Sequence, residues 1–383
     1  MNRKILSLSL IAALALGASS CGKKSSNEPI KPNPTTPAPG GNNGGTTTGG
    51  ASTGGTTTGN NGGSTNGGNT NSGNTNSGNA NESNASVTLI VPAGKSVIIN
   101  GTTYTGNNQN KIFLDDSFKK LEISGNDLPS LEISGDNLTE VKIKEEMAKL
   151  TELKIVSKES EAKKTLSLDL SALTGVTSLT LAGYDFGAVD LRKMSNLKKL
   201  SLGLSKPQKD TKFTKVIWPT ENKIADLQTR AALTNEAVDL NNLPNLLRAI
   251  LVSPYFDKIS FANSSKLQVV AVSNPTGAKS FDLELENHST LKDITLNGVH
   301  VKKLVVTNAP NLSPQGKNQP LNFQGVTVDE LKLTKVNKDG VVKILKSINK
   351  DGLKKAVLPG YDFTLGTAPL DGFSHLNQSN VTL

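Results

Sequence analysis

From Val87 onward the chain repeats a short phrase, apolar-x-x-apolar-x-apolar. It runs Phe118-Lys-Lys-Leu121-Glu-Ile123, Leu128-Pro-Ser-Leu131-Glu-Ile133 and Leu138-Thr-Glu-Val141-Lys-Ile143, then returns at Leu150, Val176, Phe186, Leu197 and Phe213. After a break it resumes at Leu247 (with Ile250 and Val252), Phe256, Leu267, Ala278, Leu291, Val301, Val328 and Leu353. The last two apolar positions of each phrase are two apart and share one side of a strand, whereas a helical stripe recurs at three and four. Successive phrases stand about ten residues apart, which gives two short strands per coil, and so short a unit buries its apolar side only by stacking on copies of itself. The predicted fold is therefore mainly β: a solenoid of short parallel strands with few short helices.

The solenoid is expected over residues 87–383, with an N-terminal cap at 87–117 and a C-terminal cap at 359–383. The pattern lapses at 203–246, which reads as an insertion with a helix near Lys223 to Ala237. Such an insertion either joins a binding surface or covers a sheet edge, and Trp218 just before the helix then belongs respectively to that surface or to the core. The stretch from Asn311 to Gly325 reads as a loop, Val341 to Ile348 as one or two helical turns, and Gly360-Tyr-Asp-Phe363 echoes Gly183-Tyr-Asp-Phe186. Asn126, Asn137, Asn274, Asn297 and Asn308 follow strands closely, where a short amide bonds turn backbone groups.

Before Val87 the composition collapses to Gly, Asn, Thr and Ser, so residues 21–86 read as a disordered tether that cannot offset the entropy of folding. As a flexible coil its root-mean-square span is on the order of 45 Å. Residues 1–20 have the layout of an export signal: Arg3 and Lys4, an apolar run from Ile5 to Leu16, small residues, then Cys21. The apolar run is too short to remain as a spanning helix. This N-terminus resembles a bacterial lipoprotein signal, which implies acylation of Cys21 and attachment to a membrane through it.

Segments such as Leu267-Gln-Val-Val-Ala-Val-Ser-Asn-Pro275, Leu291-Lys-Asp-Ile-Thr-Leu-Asn297 and Leu304-Val-Val-Thr-Asn-Ala-Pro-Asn-Leu312 resemble bacterial leucine-rich repeats. They are similar to the internalin-type and BspA-type repeats of bacterial surface proteins. The resemblance implies a leucine-rich-repeat-like solenoid for protein binding or adhesion, lipid-anchored in the cell envelope, at the outer membrane and exposed on the surface. It implies no catalytic residue.

Charge and chemistry add little to this picture. The net charge of +9 comes from lysine, with only Arg3, Arg192, Arg230 and Arg248, and lysines alternate with acids through the repeats. That pattern is a solvated surface, so no nucleic-acid partner is expected. A single cysteine excludes an intramolecular disulfide and a cysteine-based metal cluster. The positions expected to face outward, Glu122, Glu132, Lys142, Lys154, Ser167, Thr180, Asp190, Ser201, Asp282, Thr295 and Lys332, share no single chemistry. Asp115-Asp116 reads as a turn signal, and His288, His300 and His375 as structural or solvated. Without a nucleophile motif, a phosphate loop or a metal-ligand spacing, neither catalysis nor a cofactor is expected. A polysaccharide-active β-helix would need clustered carboxylates, and a periplasmic assembly role is the other alternative.

Overall fold

The computed structural model describes residues 85–125, 127–144, 147–157, 164–203, 211–231, 233–252, 255–274, 279–312, 321–373 and 375–383. The signal segment 1–20, Cys21 and the tether to residue 84 lie outside them, as do Asn126 and Ala278. Ser86, placed at the end of the tether, already donates its N–H to the Leu114 carbonyl at 3.0 Å.

Four strands open the domain: β1 (Val87–Ile90), β2 (Ser96–Ile99), β3 (Thr102–Thr105) and β4 (Lys111–Leu114). β1 lies antiparallel between β4 and β6 (Ser130–Gly135), and β2 lies antiparallel between β3 and β5 (Lys120–Ser124). These hairpins cover the first coil, which would otherwise expose its core and a row of unpaired peptide groups.

Beyond them most successive strands alternate between two faces, and every pairing among the described strands is parallel. One face is an 11-stranded sheet in which β1 and β4 are followed by β6, β8 (Glu152–Val156), β10 (Ser178–Ala182), β12 (Lys199–Leu202), β14 (Asp226–Thr229), β15 (Arg248–Val252), β17 (Val269–Ser273), β19 (Asp293–Asn297) and β21 (Asn322–Gln324). The other face comes in three pieces. Next to β2 and β3 stand β5, β7 (Glu140–Ile143) and β9 (Ser167–Asp169). β11 (Ala188–Asp190) pairs with β13 (Lys215–Ile217). The last piece holds β16 (Lys258–Ser260), β18 (Phe281–Glu286), β20 (His300–Ala309), β22 (Thr327–Val336), β23 (Lys355–Val357) and β24 (Val381–Thr382). The result is a parallel β-solenoid of about ten turns with two strands per coil.

Its core is a set of columns. Leu131, Leu153, Leu179, Leu200, Leu227, Ala249, Val270 and Ile294 are successive register partners across the large sheet, and all are buried. Full burial of a branched side chain contributes about 1.5 to 3 kcal/mol, so the columns are the main attraction between coils. Backbone corners are tied by side chains that reach one coil back. Thr151 Oγ1 donates to the Pro129 carbonyl at 3.0 Å, Thr177 Oγ1 to Thr151 at 3.1 Å, Asn245 Nδ2 to Asn222 at 2.8 Å and Asn311 Nδ2 to Ser289 at 2.7 Å.

Three expectations need correction. No helix forms near Lys223 to Ala237 among the described residues; Ile224-x-x-Leu227-x-Thr229 is the common phrase with threonine in its last slot, and β14 completes a coil between β12 and β15. Much of 203–246 therefore continues the solenoid. The phrase expected at Leu247, Ile250 and Val252 is one residue out, because Leu246, Ala249 and Leu251 hold the core slots and Leu247 and Ile250 face outward; Val252 is buried as well, but at the end of the strand beside Leu251. That run is apolar at nearly every position, so its own alternation does not fix the phase; pairing of Leu227 with Ala249 does. Third, the loop expected over Asn311 to Gly325 ends in β21.

The helical turns expected over Val341 to Ile348 form α1 (Lys338–Ser347), which packs on β21 and β22. Asn337 caps it, accepting from Asp339 N–H at 2.9 Å. The echoed Gly-Tyr-Asp-Phe segments share a device. Gly183 and Gly360 turn at φ +83° and +82°, and each following tyrosine sends its hydroxyl to backbone of an earlier coil, Tyr184 to the Gly135 carbonyl and Tyr361 to the Val336 carbonyl at 2.8 Å.

Candidate binding surface

Between the core columns, outward side chains form open rows across the coils. On the large sheet one row runs Glu132, Lys154, Thr180, Ser201, Gln228, Ile250, Ala271, Thr295 and Asn322. On the other face Glu122, Lys142 and Asp169 form one row, and Lys258, Asp282, Lys303, Glu330 and Lys355 form another in which the sign alternates at every step. Adjacent coils exchange ion pairs, Lys120 to Glu140 at 3.1 Å, Lys154 to Glu132 at 2.8 Å and Lys258 to Glu284 at 2.6 Å. The hydrogen bond from Lys144 holds the Glu122 carboxyl below its usual range. Such surface pairs contribute about 0 to 1 kcal/mol each, so they fix register more than stability. The residues expected to face outward do so: Glu122, Ser167, Asp190 and Lys332 are exposed, and the others are half-buried.

Several other candidates prove structural. Asp115 Oδ1 accepts from the Ser117 hydroxyl and, at 2.9 Å, from its N–H, a turn that lowers the Asp115 pKa. His300 Nε2 lies 2.8 Å from Asp329 Oδ1, and His375 Nε2 meets the Leu353 carbonyl. Trp218 is core: it is buried and donates Nε1–H to the Asp239 carbonyl at 2.8 Å. This bond lies where β14 and β15 adjoin on the large sheet while residues 235–240 form no ladder on the other face. A cavity of about 200 Å³ opens there, lined by Asn235, Asp239, Asn241 and Lys258 among others. Pockets that hold drug-sized ligands measure about 300 to 1,000 Å³, and the amides of this one are engaged: Asn235 Oδ1 accepts from Asp257 N–H and Asn241 Oδ1 from Ala262 N–H, both at 2.9 Å. β18 carries three outward acids, Asp282, Glu284 and Glu286, with Lys258 on one neighbouring strand and Lys303 on the other. Among the described residues no group of three His, Cys, Asp or Glu is placed to hold a metal ion, and no helix is long and apolar enough to cross a membrane.

Two buried ionisable groups were not visible in the spacing as such. His288 occupies a corner slot after Ser264: Ser264 Oγ donates to the Leu243 carbonyl at 2.9 Å, and His288 Nδ1 donates to the Ser264 carbonyl at 3.1 Å. Burial lowers the His288 pKa, and its Nε2 is left without a partner. Asp293 opens β19 in an outward slot yet is only 8% exposed. Burial pushes its pKa up to about 6 against the opposing pull of Lys343 in α1 and of the Ile294 N–H, and its Oδ1 has no hydrogen-bond partner. No protein-family model and no curated protein matches the chain.

Proposed function

We propose that the chain is a lipid-anchored protein of the bacterial cell envelope that displays its solenoid on a tether, outside the outer membrane, to bind another protein. The observation that carries this reading is the solenoid itself. Its two long faces each present side chains from many successive coils, a geometry suited to an extended macromolecular contact rather than to a small molecule. Support for the anchor comes from Cys21, which directly follows a basic, apolar and small-residue leader. Each buried acyl methylene stabilises membrane attachment by about 0.8 kcal/mol, so more than one chain on Cys21 holds a protein firmly.

Cys21→Ala is expected to move the protein from the detergent phase to the aqueous phase on phase partitioning. Unchanged partitioning refutes the anchor. Protease treatment of intact and lysed cells tests the side of the membrane: loss of the solenoid from intact cells supports surface display. Protection until lysis removes surface display from the reading and leaves a periplasmic role.

A further inference from the structure

Among the described residues the arginines are Arg192, Arg230 and Arg248. Arg192 grips Asp190 through Nε at 3.0 Å and Nη2 at 2.6 Å, and Arg248 grips Asp226 of the neighbouring strand through Nε at 3.1 Å and through Nη2. Arg230 differs. It directly follows Thr229, the register partner of Leu251, and so stands at the corner of the large sheet next to Val252, which is itself buried, and opposite in phase to Thr229. Its guanidinium makes no hydrogen bond or ion pair with any described residue, and its half-burial lowers its pKa with no acid to oppose the shift. On the preceding coil it meets Gly203, at φ +103°, where a Cβ would stand 2.9 Å from the Arg230 carbonyl carbon. The flank of Arg230 is thus kept free of side chain. A guanidinium offers five donors in a plane that matches a carboxylate, and here none of them is used.

The surroundings are apolar. Ile250, the diagonal neighbour across the ladder, faces outward, and Val269 and Ala271 extend the patch along β17. Tyr255 donates its N–H to the Leu233 carbonyl at 2.9 Å, which sets it one coil on and just round the same corner, and the residue is 45% exposed. The outward slots of β14, β15 and β17 hold one carboxylate, Asp226, and Arg248 already grips it. Arginine and tyrosine, with tryptophan, are the residue types enriched where protein interfaces concentrate their binding energy.

We propose that this corner of the large sheet is where a protein partner docks, through a segment that gives a carboxylate to Arg230 and an adjacent apolar side chain to Tyr255 and Ile250. The proposal rests on the protein-binding reading above and names its surface. It is tested by panning phage-displayed random peptides on the full chain, on Arg230→Gln and on Lys332→Gln, the last on the opposite face. Enriched peptides are expected to carry Asp or Glu beside an apolar residue, to bind Arg230→Gln at least tenfold more weakly, and to bind Lys332→Gln as they bind the parent. Tyr255→Ala is expected to weaken them at least threefold. Arg230→Lys keeps the charge without the planar fork and falls between the parent and Arg230→Gln. Peptides that bind parent and Arg230→Gln alike overturn the docking point while leaving the protein-binding reading in place. Failure of any peptide to enrich overturns both.

Discussion

Asp293→Asn is expected to stabilise the solenoid at neutral pH and to do so less and less as the pH falls. Asp293 is 8% exposed, its Oδ1 lacks a partner, and burial raises its pKa from 3.8 to about 6. The folded state therefore binds this proton more tightly than the unfolded chain. Stability from the group is fully present below its unfolded pKa and is lost as the pH rises through about 6, where the folded protein must hold a poorly solvated charge. A shift of about two pKa units corresponds to roughly 3 kcal/mol. Asparagine keeps the shape and removes the charge, so the variant should exceed the parent by about 3 kcal/mol at pH 7 to 8, a rise in melting temperature of roughly 5 °C. At pH 4 the gap should shrink to under roughly 1 kcal/mol. Thermal melts of both proteins across pH 4 to 8 provide the comparison. Subtracting them at each pH cancels the groups common to both, including His288, whose lowered pKa makes it oppose Asp293: its contribution is present above the ordinary histidine pKa and is lost on acidification. A gap that stays constant with pH, or a variant less stable than the parent at pH 7, refutes the assignment of an uncompensated buried carboxylate.

Thr229→Val should raise stability by about 1 kcal/mol, because Thr229 is 1% exposed and its hydroxyl has no partner; a lower urea midpoint would contradict this. Gly183→Ala should lower the melting temperature clearly, since Gly183 sits at φ +83° and a Cβ there would lie 2.8 Å from Ser157 Cβ and 2.9 Å from its carbonyl oxygen. Ile294→Ala should cost about 2 to 5 kcal/mol through a cavity in a fully buried column, and an unchanged melting temperature would contradict the register of β19.

The coil was legible where core and surface positions alternate cleanly. Leu121 and Ile123, or Leu331 and Leu333, are apolar slots flanked by polar ones, and all four are buried. Legibility failed where a slot was filled against type. Thr229 masked β14, and the run from Leu246 to Val252, apolar at every position but Arg248, concealed which alternate residues face the core. In both places the deciding information is long-range, since β14 and β15 are phased by each other and by β12. The candidate surface was legible only as a set of outward positions. That Arg192 and Arg248 are gripped while Arg230 is not depends on which acids the neighbouring coils bring alongside, and no local spacing encodes it.

The sign-alternating row Lys258, Asp282, Lys303, Glu330, Lys355 constrains how such a protein can change length. Its backbone repeats once per coil, but its charge pattern repeats only every second coil. Excision of the coil bearing Asp282 would set Lys258 against Lys303, whereas excision of two consecutive coils would restore opposite neighbours. Along this part of the face the heritable unit is a pair of coils, so growth or shrinkage of the solenoid that preserves its surface proceeds in even steps.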